Sequence, residues 1–209
     1  MLFTALWLLS AIIDGNIICS RRYQSFGQNN KIMKRIVISG PEASGKTTLT
    51  SQLALHYDGV PIFEYARDYV SGLGRAYNFE DVEIIARRQL LDFQSAKTKH
   101  KYNSKIVFFD TFLIITKVWF QEVYGSCPIW INSAIKNNIP DLTLLCEPDL
   151  TWTEDGVREN GDRRDYLFNC YVEELEYYKI KYQRVKGIGE ARLRCAKKYV
   201  DELNLLTNE

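Results

Sequence analysis

The chain has 209 residues, 46% of them hydrophobic and 25% charged, with 27 Lys and Arg against 26 Asp and Glu. At about 150 residues per domain, this length predicts one globular domain rather than two, and the composition excludes a disordered chain, a collagen-like repeat and a polytopic membrane protein. The formal net charge of +1 gives no overall electrostatic case for a nucleic-acid binder or for a polybasic membrane binder.

Residues 1–32 differ in character from the rest of the chain. They begin with the apolar run MLFTALWLLSAII, which ends at Asp14 and is shorter than the roughly 20 residues that a membrane-spanning helix needs. The run also lacks the basic start and the clear cleavage site of a signal peptide. Met33 leads at once into a strand-like segment, so we interpret residues 1–32 as an extension outside the fold that arises from a mis-assigned start. The alternatives are a leader, a membrane anchor or a packed element of the fold, and the folded domain is expected at residues 33–209.

Strand-like and helical segments alternate from Met33 onwards. Short apolar runs predict strands at residues 36–39, 61–65, 105–110, 142–146 and 182–185. Apolar residues at helical spacing predict helices at residues 46–57, 80–99, 112–124, 165–179 and 190–205. This alternation predicts an α/β fold with a doubly wound parallel sheet, helices on both faces and ligands at the carboxyl ends of the strands. No linker divides the segment after Met33, which is therefore expected to form one domain.

The strongest motif lies between the first strand and the first helix. Residues 40–47 read GPEASGKT and match G-x-x-x-x-G-K-[ST], the phosphate loop whose successive backbone N–H groups point at a phosphate. Lys46 can reach the β- and γ-phosphates, and the Thr47 hydroxyl can bind Mg²⁺. The sequence therefore predicts a P-loop NTPase fold with ATP and Mg²⁺ as cofactors, and it leaves GTP open as the alternative to ATP. The predicted nucleotide-binding residues are Gly40, Pro41, Glu42, Ala43, Ser44, Gly45, Lys46, Thr47 and Thr48.

Asp110 ends the strand-like run KIVFFD, in the position of a Walker B acid. A carboxylate at the end of a buried strand beside a phosphate loop can hold Mg²⁺ together with Thr47, or it can take the proton from an attacking hydroxyl. We therefore predict Asp110 as a metal ligand and, with Lys46, as a catalytic residue. The alternative is that Asp110 caps the helix that begins near Phe112.

Three arginines follow the fourth predicted strand, in a polar stretch that contains Gly156 and Gly161. Phosphoryl transfer spreads negative charge over the equatorial oxygens, and arginines on a closing lid can stabilise that charge while they exclude water. We predict a small lid in this stretch, with Arg158 as a catalytic residue. The predicted lid arginines are Arg158, Arg163 and Arg164, and a solvated charged loop is the alternative.

The segment EYARDYV, after the second predicted strand, places charges on what would be the acceptor side of a small kinase. Carboxylates there can bind or deprotonate sugar hydroxyls, and a guanidinium can bind ribose or a phosphate. The predicted substrate-binding residues are Glu64, Arg67 and Asp68. Either Asp68 or Asp110 is the general base in this interpretation, and a salt-bridged helix start would explain the same charges.

Five segments in this order, GPEASGKTTLT, EYARDYV, ARRQLLDF, FFDT and W-x-x-DG-x-R, resemble the ribosylnicotinamide kinase domain of the bacterial NAD-biosynthesis regulators of the NadR type, within the P-loop AAA-like ATPase and kinase family. The resemblance runs from Met33 to near Leu203. It implies ATP-dependent phosphorylation of the ribose 5′-hydroxyl of nicotinamide riboside to nicotinamide mononucleotide, a step of NAD biosynthesis. The residues it assigns are Glu64, Arg67 and Asp68 on the acceptor side, Asp110 at the catalytic acid and Arg158 in the lid.

The chain also departs from these regulators. It has no H-x-G-H motif, so adenylyl transfer is not implied. It carries Phe112 where the relatives have a second acid after D-T, which leaves the acceptor open. Trp119, Phe120 and Tyr124 would then offer a stacking surface for a flat ring, with core packing as their alternative role.

Two other functions remain open beside a nicotinamide riboside kinase. One is a P-loop kinase of another nucleoside, nucleotide or vitamin, and the other is a non-catalytic ATP-dependent switch or sensor. For either kinase we expect a cytoplasmic phosphotransferase with a nucleoside-like small-molecule substrate. We expect no nucleic-acid partner and no membrane partner for the folded domain, and the sequence leaves the oligomeric state open.

Overall fold

Five parallel strands form the centre of the fold. This computed structural model describes residues 33–96, 106–150 and 163–205. The strands within these ranges are β1 (Lys34–Ser39), β2 (Val60–Ile62), β3 (Ile106–Asp110), β4 (Leu142–Cys146) and β5 (Tyr182–Val185). Their order in the sheet is β2-β3-β1-β4-β5, and every pairing is parallel. The predicted parallel sheet is thereby confirmed.

Helices connect these strands. In the described ranges they are α1 (Lys46–His56), α2 (Tyr65–Ser71), α3 (Phe79–Ser95), α4 (Leu113–Tyr124), α5 (Ile129–Asn137), α6 (Arg164–Tyr177) and α7 (Glu190–Leu205). The helices α2 and α5 were not among the predicted helices, although a helix start was the alternative interpretation of EYARDYV; both are short, and α2 buries no residue. The prediction of a strand over residues 61–65 was wrong at its end, since β2 stops at Ile62 and Glu64 is already the N-cap of α2.

A capping box fixes the start of α3, the helix that forms one wall of the site described below. The Asn78 side chain accepts a hydrogen bond of 3.0 Å from the backbone N–H of Asp81, and the Asp81 carboxylate accepts one of 2.8 Å from the backbone N–H of Asn78. Two backbone donors that the helix itself leaves unpaired are satisfied in this way. The helix therefore begins at Phe79, one residue before the predicted start.

The apolar residues of β1 alternate between the two faces of the sheet. Ile36 and Ile38 pack with α1 and α7, whereas Val37 packs with α3, α4, α5 and α6 on the opposite face. All three side chains are at most 3% exposed. Burying a side chain of this size stabilises a fold by roughly 1.5–3 kcal/mol, so helices are held on both faces. The predicted doubly wound architecture is confirmed.

The chain reverses its direction of winding at β1, which lies between β3 and β4. Ile38 of β1 is in register with Asp110 of β3 on one side, and Ser39 is in register with Leu145 of β4 on the other. Such a switch point leaves a crevice at the carboxyl ends of the strands, where α/β proteins bind their ligands. The fold thus brings the loop that follows β1 and the acid that ends β3 to the same crevice.

The described helices were also compared with the requirements for a membrane-spanning helix. None of those within residues 33–96, 106–150 and 163–205 combines the length and the apolar character that a membrane span requires. The predictions for residues 1–32, and those for the lid between residues 151 and 162 with Arg158, lie outside the described residues.

Candidate active site

The loop between β1 and α1 turns sharply. Gly40 has a φ of +141°, and a Cβ atom there would lie 2.6 Å from the carbonyl oxygen of Cys146 on β4. Gly45, the N-cap of α1, has a φ of +76°, and Ala43 shares the left-handed region with a φ of 55°. Residues with a Cβ atom rarely adopt these positive backbone φ angles, whereas glycine adopts them without steric cost. The loop therefore forms the cradle that the phosphate-loop motif requires.

Two side chains of the loop hydrogen-bond to the Pro41 carbonyl. The Ser44 hydroxyl donates to it at 2.8 Å, and the Lys46 ammonium donates to it at 2.9 Å. Lys46 thus lies over the loop, where a phosphate would compete with Pro41 for its N–H groups. Gly45 offers no side-chain cap, so the first N–H groups of α1 face the same region. Pro41 and Ser44 are buried, Glu42 and Ala43 are half-buried, and Thr47 and Thr48 are exposed.

Asp110 meets this loop from the end of β3. Its Oδ2 accepts a hydrogen bond of 2.5 Å from the Thr47 hydroxyl, whereas its Oδ1 is buried and has no hydrogen-bond partner among the described residues. Burial raises the pKa of Asp110, against the lowering effect of the Thr47 hydrogen bond and of the Lys46 and Arg67 charges. A buried carboxylate oxygen without a partner, beside a hydroxyl, matches the oxygen ligands that Mg²⁺ prefers. Asp110 and Thr47 therefore fit a Mg²⁺ ion.

Glu64, the N-cap of α2, lies close enough to the loop for their charges to interact. Burial raises the pKa of this half-buried carboxyl group, the Lys46 charge lowers it, and the Asp110 charge raises it. Smaller effects come from Arg67, which lowers the pKa, and from Glu42, which raises it. The structure thus gathers two carboxylates of the second and third strand ends around the lysine of the phosphate loop.

The two remaining residues predicted for the acceptor side differ in their placement. Arg67 is exposed on α2, and its charge lowers the pKa of both Glu64 and Asp110. Asp68 is exposed too, but its charge is not among those that shift the pKa of either carboxyl group. Its backbone carbonyl accepts the N–H of Gly72 at the end of α2. The charges of Glu64 and Arg67 therefore lie close enough to Asp110 to interact with it, whereas Asp68 has no such effect on Glu64 or Asp110.

The two described lid arginines flank the start of α6. Arg163 forms an ion pair with Glu122 of α4, and the Tyr166 hydroxyl donates to the same carboxylate at 2.9 Å. Arg164 donates to the carbonyl oxygens of Pro148 and Leu150, at 2.7 and 2.8 Å. These contacts hold both arginines to α4 and to the loop after β4. Their role in a closed lid stays a prediction.

Sequence reasoning missed Arg192, which is only 4% exposed and contacts the phosphate loop from α7. It donates to the carbonyl of Ser44 at 2.7 Å and to that of Gly187 at 2.7 Å, and it forms an ion pair with Asp149. The residue thus ties the phosphate loop to the loops after β4 and β5. A signal for it exists in the sequence, because Arg192 continues the buried helical stripe of α7 formed by Ala196, Val200 and Leu203.

The aromatic residues after Asp110 belong to the core. Phe112 is 5% exposed and stacks on Phe93 with ring centroids 4.2 Å apart. Phe120 is fully buried, and Trp119 and Tyr124 pack against the same core. For Trp119, Phe120 and Tyr124 the structure therefore supports core packing over a ligand-stacking surface. The N-cap of α4 is Phe112 and has no side-chain cap, so Asp110 does not cap this helix.

Comparison with known proteins shows a family to which this sequence belongs. The AAA domain family matches residues 35–192. Among curated proteins, the chain is similar to the trifunctional NAD biosynthesis/regulator protein NadR of Escherichia coli, with 33% identity over 174 residues, which cover 78% of this chain and 41% of that protein. The chain thus spans less than half the length of this relative.

Solved structures share the fold. The crystal structure of NadR protein in complex with NR matches with a TM-score of 0.70 and 24% identity, over 82% of this chain and 52% of that one. The deoxyadenosine kinase of M. mycoides, with dCMP and dCDP bound, matches with a TM-score of 0.54 and 15% identity, over 84% of this chain and all of that one, 100%. These matches therefore show that the chain has a P-loop α/β fold of the kind found in nucleoside kinases.

Proposed function

The chain belongs to the AAA domain family, and we propose that it is an ATP-dependent phosphotransferase that converts nicotinamide riboside to nicotinamide mononucleotide by phosphorylating the ribose 5′-hydroxyl. ATP and Mg²⁺ are the proposed cofactors. Support comes from the similarity to an NAD biosynthesis protein and from a fold shared with a NadR structure that holds NR. The segments EYARDYV and FFDT, which carry the resemblance to ribosylnicotinamide kinases, also provide the residues gathered at the site.

The observation that carries the proposal is the grouping of Glu64 and Asp110 around Lys46. Asp110 is hydrogen-bonded to the phosphate-loop hydroxyl, and Glu64 lies at the start of the helix that follows the neighbouring strand. Phosphoryl transfer to a hydroxyl needs one carboxylate near the metal and one near the acceptor proton. A switch that only hydrolyses ATP slowly needs no acceptor carboxylate on α2, so this grouping favours a kinase.

In the proposed reaction the acceptor oxygen forms a bond to the γ-phosphorus of ATP. The bond between that phosphorus and the bridging oxygen of ADP breaks, and the hydroxyl proton passes to a carboxylate. Lys46 exchanges its hydrogen bond to Pro41 for one to a phosphate oxygen, and the loop N–H groups bind the remaining oxygens. Asp110 and Thr47 would hold Mg²⁺, which, when bound, neutralises the charge of the phosphates.

We assign the proton-accepting role to Glu64 rather than to Asp68. Burial raises the pKa of Glu64 and moves it towards the pH at which a general base is effective, whereas Asp68 is exposed and lies outside the group of interacting charges. Asp110 is committed to Thr47 through one oxygen and is free to bind Mg²⁺ through the other. Arg67 is placed to bind ribose or phosphate oxygens beside these carboxylates.

A second candidate is a kinase of another nucleoside. The observation that favours it is Phe112, which occupies the place of a second acid and is buried on Phe93. A ribose that relied on that acid for its hydroxyl hydrogen bonds would lose them in this chain. Among the described residues of the predicted acceptor side, the acceptor hydroxyls would then depend on Glu64 and Arg67, which would accommodate other sugars.

A panel of acceptors distinguishes these functions. The protein is incubated with ATP, Mg²⁺ and nicotinamide riboside, deoxyadenosine, deoxycytidine or thymidine, and ADP release is measured while mass spectrometry identifies the product. We expect nicotinamide mononucleotide as the main product, and its loss in Asp110→Asn but not in Glu173→Gln, an exposed carboxylate on α6. Turnover of another nucleoside alone would exclude nicotinamide riboside as the acceptor. ATP hydrolysis that none of the four acceptors accelerates would exclude a kinase of these nucleosides.

A further inference from the structure

The residue that follows Asp110 has an unusual backbone conformation. Thr111 has a φ of 72°, in the left-handed region that a β-branched residue rarely adopts. Its backbone N–H donates to the carbonyl of Ile38 at 3.0 Å, which extends the pairing of β3 with β1 by one residue. Such strain persists only where the surroundings hold the residue in place, and it is often found at functional sites.

Gln89 of α3 makes the side-chain contact that holds Thr111. Its Nε2 donates to the Thr111 hydroxyl at 3.3 Å, and its Oε1 accepts a hydrogen bond of 2.7 Å from the Thr116 hydroxyl on α4. Thr111 and Thr116 are 4% and 5% exposed, so neither hydroxyl has ready access to water as a substitute. The amide thus joins α3, the turn after β3 and α4 through one side chain.

Gln89 also lies beside the candidate active site. Gln89, Asp110 and Thr111 line one small cleft at the carboxyl end of β3, together with Tyr65 of α2. Because Thr111 follows Asp110 directly, a change in the Thr111 backbone angles would rotate the Asp110 carboxylate away from the Thr47 hydroxyl. A displacement of this kind, of about 1 Å, is enough to lower a catalytic rate by about 100-fold.

We propose that Gln89 is a positioning residue that holds the strained Thr111 turn and thereby keeps Asp110 directed at Thr47 and at a Mg²⁺ bound there. The proposal rests on the proposed function for its catalytic readout, but not for its binding readout. Without the amide, two buried hydroxyls lose their partner and the turn relaxes to a conformation with negative φ. The Asp110 carboxylate then loses its fixed place beside the phosphate loop.

Two readouts on the full-length protein test the proposal. The first is the gain in affinity for a fluorescent ATP analogue that Mg²⁺ produces, measured by titration with and without Mg²⁺. The second is kcat and KM for the acceptor that the panel identifies. We expect Gln89→Ala to lose about tenfold or more in kcat and most of the Mg²⁺-dependent gain, as Asp110→Asn does, with Mg²⁺-free affinity unchanged. Gln94→Ala, an exposed glutamine on the same helix, is the matched control and should change neither readout.

A double variant separates positioning from direct contact with the acceptor. Glycine adopts a positive φ without strain, so Thr111→Gly removes the need for the bridge. We expect Gln89→Ala/Thr111→Gly to recover most of the Mg²⁺-dependent gain and of kcat relative to Gln89→Ala. If the two losses instead multiply, Gln89 acts independently of Thr111 and the proposal is overturned. Wild-type readouts in Gln89→Ala would overturn it as well.

The remaining outcomes are also decisive. If Gln89→Ala does not fold, as judged by circular dichroism, Thr116→Val removes only the hydroxyl that holds Oε1 and should show a smaller loss in the same direction. An unchanged Thr116→Val would then count against the proposal. If the wild-type protein phosphorylates no acceptor, the proposed function fails. The titrations with Mg²⁺ still decide the role of Gln89 in that case.

Discussion

Replacing Arg192 by methionine should destabilise the fold and weaken nucleotide binding together. The guanidinium donates to the carbonyls of Ser44 and Gly187, both at 2.7 Å, and pairs with the Asp149 carboxylate. Methionine preserves much of the aliphatic stem but donates no hydrogen bond. The Ser44 carbonyl in the phosphate loop would then lose its buried partner, and the loop would lose its connection to α7.

The magnitude follows from these contacts. A hydrogen bond that involves a charged group contributes about 1.5–3 kcal/mol, and removing one partner of a buried ion pair costs about 3–5 kcal/mol. The Asp149 side chain is 32% exposed, so water compensates for part of the lost pairing. We therefore expect the free energy of unfolding to fall by roughly 2–4 kcal/mol, which lowers the melting temperature of a chain of this size by roughly 4–16 °C.

Thermal unfolding of Arg192→Met and of Arg194→Met measures this effect. Arg194 is exposed on the same helix, so its variant controls for the loss of one charge from α7. A titration with a fluorescent ATP analogue should show weaker binding for Arg192→Met alone. Equal melting temperatures for the two variants would show that Arg192 does not support the phosphate loop.

Four further expectations concern the site and the domain boundary. Asp110→Asn should lower kcat by about 100-fold or more, as measured by steady-state kinetics. Its melting temperature, measured by thermal unfolding, should be unchanged or higher, because a neutral amide is less costly to bury than a carboxylate. Since the pKa of Glu64 is raised above its ordinary 4.5, activity should decline with falling pH at a value above 4.5, and the pH dependence of kcat/KM should lose this limb in Glu64→Gln. Because the pKa of Glu64 is higher in the folded state, its contribution to stability is complete below the unfolded-state pKa and is lost as the pH rises through the folded-state pKa. Between these two pKa values, the free energy of unfolding of Glu64→Gln, measured with denaturant, should therefore depend less on pH than that of the wild-type protein. Gly40→Ala should weaken binding of the ATP analogue, because its Cβ would lie 2.6 Å from the Cys146 carbonyl. A chain that begins at Met33 should keep the activity and the melting temperature of the full chain.

Each of these four expectations has an outcome that would contradict it. An Asp110→Asn variant with wild-type kcat would exclude Asp110 from the transfer step. An acid limb at the ordinary carboxyl pKa, or one that persists in Glu64→Gln, would assign the limb to another group. Wild-type binding by Gly40→Ala would mean that the loop tolerates a side chain there. Loss of folding on removal of residues 1–32 would make the extension part of the fold.

The sequence was most informative where a local pattern determines the structure. The strands β1, β3 and β4 each contain a short apolar run because both of their faces are covered, and such a run is visible in the sequence alone. The phosphate loop is equally local, since its glycines and its lysine act within eight consecutive residues. Asp110 was identifiable because it directly ends such a strand.

Contacts between distant segments could not be predicted in this way. The hydrogen bond between Gln89 and Thr111 forms only after α3 packs beside β3. The one between Arg192 and Ser44 joins residues that are 148 positions apart in the sequence. The left-handed conformation of Thr111 has no signal in its residue type, because threonine disfavours it. The choice between Glu64 and Asp68 was equally hidden, since it depends on which of the two charges comes close to Lys46 and Asp110 in the folded chain.

The most direct test of the central claim is a crystal structure with a non-hydrolysable ATP analogue, Mg²⁺ and nicotinamide riboside. We expect the γ-phosphate on the loop that follows β1, Mg²⁺ on Asp110 and Thr47, and the ribose 5′-oxygen within hydrogen-bond distance of Glu64. A riboside bound away from both Glu64 and Asp110, or a metal bound without Asp110, would contradict the account.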